Sequence, residues 1–293
     1  MTSPNQLDSK ELFSWRKNQL SKGGACADLD WLLEFGGGIS WASLQRIHIE
    51  PRASIQTKRP LDELDRIWTE HIQKHVPLQY LVGLCPWRDF ELQVTPAVLI
   101  PRQETELLVD FALDRINPDL SGHWADLGTG SGAIAVALAR ALPEWYGHAV
   151  DVSNDALILA RTNLQRLSPS SVKWSVHWGS WWEPLRPWWG SVSLAVVNPP
   201  YIPNGLIAEL DPVVRDNEPH LALSGGEDGL EEVKKVIDGV SNALNDGGVL
   251  CIEHHYDQSE LVLELMLKAG LDNVEFEMDL EGVRRFAMAR KPC

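Results

Sequence analysis

The chain has 293 residues, 44% of them hydrophobic, and a net charge of −15 at neutral pH; that is room for one large domain and a small one with a core that folds unaided. Residues 1–85 hold ten Lys and Arg against ten Asp and Glu, so the whole acidic excess lies in residues 86–293. Nucleic-acid affinity rests mainly on Lys and Arg displacing counterions, so direct nucleic-acid binding is not expected.

The N-terminal MTSPNQLDSKELFSW lacks a cationic flank before an apolar stretch, and no apolar run is long enough to span a bilayer. A soluble, cytoplasmic protein is expected, with no membrane partner and as a monomer. Cys26, Cys85, Cys251 and Cys293 are scattered, which suggests reduced thiols rather than a disulfide framework or zinc site. Residues 8–80 read as short helical pieces broken by Gly36-Gly37-Gly38, Pro51 and Pro60. After Pro60, Leu61, Leu64, Ile67, Trp68, His71, Ile72 and His75 recur at steps of three and four, the spacing of one helix face. Residues 1–80 are therefore expected to form a small all-α domain, suited to packing or to recognising a partner. Between 81 and 102 the pattern changes to FELQV and AVLIP, punctuated by Pro86, Pro96 and Pro101, and predicts a β-hairpin connector.

From 103 to 293, helix-length periodic stretches alternate with short apolar runs: HWADLG, GHAVDVS, VKWSVHW, SVSLAVVN, GGVLCIEHH, VEFEMDL and RRFAMAR. The alternation predicts an α/β domain, a doubly wound, mostly parallel seven-stranded sheet of Rossmann-like type with helices on both faces. The last two runs are close enough to form an antiparallel pair at one edge.

In WADLGTGSGAIAVALARAL, a strand passes through a glycine turn into a helix. Gly128, Gly130 and Gly132 permit a sharp turn and close approach of a ligand, with Thr129 and Ser131 between them, and the helix beginning near Ala133 offers unpaired N–H groups. The next strand ends at Asp151, whose carboxylate suits the two hydroxyls of a ribose. Loop and acid together indicate an adenosine-containing cofactor. NAD fits these residues as well as S-adenosyl-L-methionine does, while a P-loop is missing.

The strand SVSLAVV ends in Asn198-Pro199-Pro200-Tyr201. A residue before proline is pushed out of the helical region, so the two prolines hold Asn198 extended and leave local carbonyls without ladder donors. The segment falls at the carboxyl end of the fourth strand, beside the glycine loop, where open α/β sheets bind ligands. The side-chain oxygen of Asn198 and the carbonyl of Pro199 suit the two hydrogens of a planar amide or amino group, and Tyr201 suits its flat face. An electrophilic methyl group held at the glycine loop is the natural partner for such a nitrogen.

Other candidates read as structural. His71 and His75 stand at i, i+4 without a third ligand, so no metal is expected. Glu104 and Glu106 suit a helix start after Pro101, with Arg102 and Glu104 open to either a structural or a site role. Cys251 lies in an apolar strand pattern and is expected to be buried rather than nucleophilic. Of Trp181, Trp182, Trp188 and Trp189, only Trp181 is a site candidate.

With these elements in order, the chain resembles the NPPY type of class I S-adenosylmethionine-dependent methyltransferase. PLQYLVG (77–83), LIPRQETELLV (99–109), DLGTGSGAIAVALA (126–139), VVNPPYI (196–202) and EPHLALSGGEDGL (218–230) are similar to the family of peptide chain release factor glutamine methyltransferases. The resemblance spans nearly the whole chain. It implies methylation of the glutamine amide in the Gly-Gly-Gln motif of release factors, hence a role in translation termination. It also implies that residues 128–132 contact the cofactor with Asn198, Asp151 holds its ribose, Trp181 flanks its adenine, Asn198 to Tyr201 receive the glutamine, and the helical domain grips the release factor. The chain departs from the family at Gln103, usually proline, and at His254-His255, where a glycine is typical. The rival readings are a glutamine methyltransferase for a ribosomal protein, an adenine-specific nucleic-acid methyltransferase, an NAD-dependent oxidoreductase and a non-catalytic binding module.

Overall fold

Strand β1 (Asn5–Asp8) opens a computed structural model that describes residues 5–47, 49–50, 53–117 and 121–293; Pro51, one of the expected helix breaks, lies outside them. The chain divides into two units, Met1–Leu84 with Pro212–Asn217, and Cys85–Asp211 with Glu218–Cys293.

In the first unit, the Asp8 carboxylate accepts the Glu11 N–H at 2.7 Å and caps helix α1 (Ser9–Lys22). Helices α2 (Cys26–Trp31) and α3 (Trp41–Arg46) follow, with a π-helical turn Leu32–Gly36 between them. Strand β2 (Ser54–Thr57) returns antiparallel to β1, adding a small sheet that helical spacing alone does not predict. Helix α4 (Leu61–Lys74) starts directly after its N-cap Pro60 and buries Leu64, Ile67 and Trp68, as its spacing predicts. Helix α5 (Leu78–Val82) completes a core in which Leu12, Leu29, Leu33, Leu64 and Trp68 are fully enclosed.

Strands β3 (Leu84–Trp87) and β4 (Phe90–Gln93) pair as a two-stranded sheet. AVLIP is not a strand, because Pro96 precedes it, Pro101 ends it and neither has an N–H for a ladder. LCPW is a strand instead, since a two-stranded sheet leaves each strand one unpaired edge where Pro86 needs no donor.

The second unit continues with α6 (Glu104–Asp114), β5 (His123–Leu127), α7 (Ala133–Ala141), β6 (Tyr146–Asp151), α8 (Asn154–Leu167), β7 (Lys173–Trp178) and β8 (Val192–Val197). After α9 (Pro212–Arg215), which belongs to the first unit, come α10 (Glu231–Ala243), β9 (Leu244–Glu253), α11 (Ser259–Lys268), β10 (Asp272–Met278) and β11 (Arg284–Arg290). The seven strands lie in the order β10-β11-β9-β8-β5-β6-β7. Strands β5 to β9 are mutually parallel, and β11 and β10 add an antiparallel edge.

From β5 the chain steps one way through β6 and β7 and the other way from β8 to β9. Right-handed crossovers then put α7 and α8 on one face and α10 on the other. On the α10 side, Val233, Val236 and Val240 share one core cluster with Ala195, Val197 and Leu250 of the sheet. The strand order reverses between β5 and β8, which opens a crevice at their carboxyl ends. Both loops singled out by sequence, the glycine turn after β5 and the prolines after β8, fall there. Among the described residues, no helix is long and apolar enough to cross a membrane.

Candidate active site

The glycine turn is held from three sides. Gly128, Gly130 and Gly132 have φ of 76°, 54° and 83°, in the left-handed region that side chains avoid. The N–H groups of Gly128 and Thr129 both reach the Val150 carbonyl at 2.9 Å, tying the loop to the end of β6. Buried Asp126 accepts the Thr129 hydroxyl at 2.6 Å and the Ala135 N–H at 2.9 Å, bracing the start of α7. Burial pushes the Asp126 carboxyl up to about 7, against the pull of those two hydrogen bonds.

Asp151 joins the same loop. One carboxylate oxygen accepts the Gly130 N–H at 2.9 Å and the other the Ser153 N–H at 2.8 Å. Burial raises its pKa and these backbone hydrogen bonds oppose the rise. Each oxygen keeps acceptor capacity for a further hydroxyl. Trp181 closes the other side: a methyl added at Gly128 would lie 3.3 Å from its ring, whereas one added at Gly130 meets nothing within 4 Å. Trp181 has φ of 47°, strained for a bulky residue, and its indole N–H is fixed on Glu232 at 2.9 Å. A bare glycine cradle, a ribose-ready carboxylate and a flat indole fit an adenosine-containing cofactor.

At the end of β8, Asn198 is held by a network that local sequence does not announce. Its amide nitrogen donates to the Thr105 hydroxyl at 3.0 Å, and that hydroxyl donates to Glu253 at 2.7 Å. The Tyr201 hydroxyl donates to the other Glu253 oxygen at 3.1 Å. Glu253 is 2% exposed, and burial pushes its carboxyl up to about 7 although the Thr105 and Tyr201 hydrogen bonds favour the charged form. Burial, then the adjacent Glu253 charge, raises the Tyr201 phenol well above its ordinary range and keeps it a donor. Neither the side-chain oxygen of Asn198 nor the Pro199 carbonyl accepts a hydrogen bond from another described residue.

The prolines are buttressed by the SGGEDG stretch. Gln258 donates to the carbonyls of Tyr201 and Gly229 at 3.0 and 3.1 Å, and Gly225 donates to Ile202 at 2.9 Å. A methyl at Gly229 would lie 2.4 Å from the Tyr201 carbonyl oxygen, so only glycine lets the two loops close.

A family model described as Methyltransferase small domain matches residues 103–225. A release factor glutamine methyltransferase of Prochlorococcus marinus is 55% identical over 288 residues, covering 98% of this chain and 98% of that protein. Another, from Synechocystis, is 38% identical and covers 97% of each. The chain belongs to the release factor glutamine methyltransferase family. Among solved structures, the hMettl16 catalytic domain in complex with the MAT2A 3'UTR hairpin 6 superposes with a TM-score of 0.56, covering 82% of this chain and 84% of that one. At 18% identity that likeness is one of fold.

In this member of the release factor glutamine methyltransferase family, the departures lie beside the network rather than in it. Gln103 is the exposed N-cap residue of α6. His254 is buried with its Nδ1 on the His255 carbonyl at 2.8 Å, and the His255 ring stands 6.2 Å from that of Tyr201 while its Nδ1 meets Asp257 at 2.6 Å. Arg102 pairs with buried Glu218 at 2.7 Å, and Glu218 also takes the Ile100 N–H at 3.3 Å, which anchors the approach to α6. Glu104 and Glu106 occupy the first turn of α6. Cys251 is fully buried, and burial pushes its thiol up to about 12, away from nucleophilic use. Trp182 is core, with its indole N–H on Val236 at 2.7 Å. Among the described residues no cluster of metal-ligating side chains occurs.

Thr105 and Glu253 are the residues that reading the sequence missed. Each left a signal: Thr105 sits on the buried stripe Thr105, Leu108, Val109 and Ala112 of α6, and Glu253 follows the buried apolar run Val249, Leu250, Cys251 and Ile252 at the end of β9. A polar group in a buried pattern must find a partner.

Proposed function

We propose that this chain transfers the methyl group of S-adenosyl-L-methionine to the side-chain amide nitrogen of the glutamine in the Gly-Gly-Gln motif of peptide chain release factors, in the cytoplasm. The observation that carries the reading is the pair of uncommitted acceptors, Asn198 Oδ1 and the Pro199 carbonyl, at the end of β8 next to the glycine turn of β5. Residues 128–132 and Asp151 would hold the cofactor, with Asp151 on the ribose, Trp181 beside the adenine and Asn198 facing the methionine end. That cofactor supplies an electrophilic methyl carbon on a sulfonium.

An amide nitrogen is a poor nucleophile because its lone pair is delocalised into the carbonyl. Asn198 and Pro199 would take its two hydrogens, turn the nitrogen and raise its electron density as charge develops. Pro199 and Pro200 keep those acceptors from moving, and the Tyr201 ring, tied to Glu253, would lie against the amide plane. No base is needed before attack, since the nitrogen becomes acidic only as the new bond forms. Orientation of this kind supplies roughly 7–11 kcal/mol in favourable cases. The helical unit is the proposed grip on the release factor.

The test is mass spectrometry of purified release factors and ribosomal proteins after incubation with the chain and isotope-labelled S-adenosyl-L-methionine. A single labelled methyl group on the Gly-Gly-Gln glutamine is expected. Label on a ribosomal protein and none on a release factor overturns the reading.

A further inference from the structure

The Asn198 network contains a directional constraint that rests on the reading of Asn198 as the acceptor for the substrate glutamine. An asparagine amide has nearly the same shape either way round, and which end faces the substrate is set by its hydrogen-bond partners. Here the partner is Thr105. A hydroxyl carries one proton, and at 2.7 Å from Glu253 that proton belongs to the carboxylate. The Thr105 oxygen is left as an acceptor, so it takes the NH2 end of Asn198 at 3.0 Å and turns Oδ1 the other way. The second Glu253 oxygen is filled by the Tyr201 hydroxyl at 3.1 Å. One buried carboxylate thereby orients both side chains of the Asn-Pro-Pro-Tyr turn that face the glutamine.

We propose that Thr105 and Glu253 are positioning residues that choose the face of the Asn198 amide, so that the glutamine NH2 meets an oxygen and not a second NH2. Neither touches the reacting atoms. Their effect passes through Asn198 and Tyr201.

The arrangement holds when Glu253 is ionised. A proton on Glu253 can be donated to the Thr105 oxygen, which frees the Thr105 proton to point at Asn198. The matching end of the amide is then Oδ1, the amide turns over, and two NH2 groups oppose each other at the substrate. The groups facing Glu253 are Tyr201 after β8, Thr105 and Glu104 of α6, and Arg285 of β11, whose guanidinium is paired with Asp279 at 2.6 Å. Arg285 favours the charged carboxylate and Glu104 opposes it, with burial the largest influence. With cofactor saturating, kcat should accordingly fall on the acid side of neutrality in a single ionisation step.

The test compares wild type, T105V, T105S and E253Q, each as the full chain with a release factor substrate, for kcat and KM across pH 5.5–9. Calorimetry of S-adenosyl-L-methionine and of a glutamine-containing release-factor peptide accompanies each variant. T105V keeps the volume of threonine without its hydroxyl. We expect its kcat to fall about tenfold or more, with weaker peptide binding, unchanged cofactor affinity and loss of the acid limb. T105S should recover most of the lost kcat and restore the limb, and E253Q should behave as T105V does. A wild-type kcat with an unchanged acid limb in T105V overturns the proposal, as does the same result in E253Q should T105V not fold. A wild-type chain that methylates no release factor would instead overturn the proposed function, so the two failures are distinct.

Discussion

Asp151 offers the sharpest test of the cofactor site, because both its oxygens are already committed to backbone donors. Asp151→Asn keeps the shape and turns one oxygen into an NH2 group. Whichever way that amide faces, either the Gly130 N–H, now 2.9 Å from Oδ2, or the Ser153 N–H, now 2.8 Å from Oδ1, meets a donor. Loss of a hydrogen bond to a charged group removes about 1.5–3 kcal/mol, which corresponds to roughly 10- to 150-fold in an equilibrium constant. If the Gly130 bond is lost, the loop loosens; if the Ser153 bond is lost, the NH2 replaces a ribose acceptor. Either way S-adenosyl-L-methionine binding should weaken by about that factor, read by titration calorimetry, with a small drop in melting temperature. The raised pKa of Asp151 adds a pH signature. Its charged form is lost on acidification before that of an ordinary carboxylate, so wild-type affinity should decline in mild acid and that of the asparagine variant should not. An asparagine variant with wild-type affinity and the same pH profile would refute the reasoning.

Asn198→Ala removes one acceptor for the substrate amide and leaves the Thr105 oxygen without the donor it accepts from, its own proton staying on Glu253; kcat should drop about 10²–10³-fold while cofactor affinity, measured by calorimetry, is retained. Gly128→Ala places a side chain at φ 76° and 3.3 Å from Trp181, which should cost about 1–2 kcal/mol in backbone strain and lower both melting temperature and cofactor affinity. His148 is clasped between His123 at 2.9 Å and His177 at 3.1 Å, and burial followed by the neighbouring histidines pushes its pKa down to about 3. Because the folded value lies below the unfolded one of about 6.5, the stability it confers is complete above pH 6.5 and is lost progressively toward pH 3. The urea midpoints of wild type and His148→Gln should therefore converge as pH falls from 7.5 to 5, and parallel midpoints would contradict this.

Much of the candidate site was legible as a set of loops and residues before any coordinates. The turn after β5 carries glycines because three alternate positions, 128, 130 and 132, are left-handed, and the two prolines after β8 hold Asn198 extended and bring no N–H of their own. Thr105 and Glu253 escaped because neither carries a recognisable role in the chain's local pattern, although Thr105 lies within LIPRQETELLV; each is odd only against the burial of its neighbours, and burial is a property of the fold. Trp181 was singled out, yet its left-handed backbone and its bond to Glu232 appear only in three dimensions. AVLIP misled because a short run of apolar residues resembles a strand until the missing N–H groups of Pro96 and Pro101 are counted.

Short-range pattern was sufficient for the seven strand runs of the sheet, the helix after Pro60, the turn chemistry and the acidic charge, since each depends on residues within a turn or two of one another. Long-range packing settled that β11 lies between β9 and β10, and that Asn198 meets Thr105 across 93 positions and Thr105 meets Glu253 across 148. A hydrogen bond between such distant residues leaves no periodic trace, because its partners are brought together by the order in which strands pair and helices cover them.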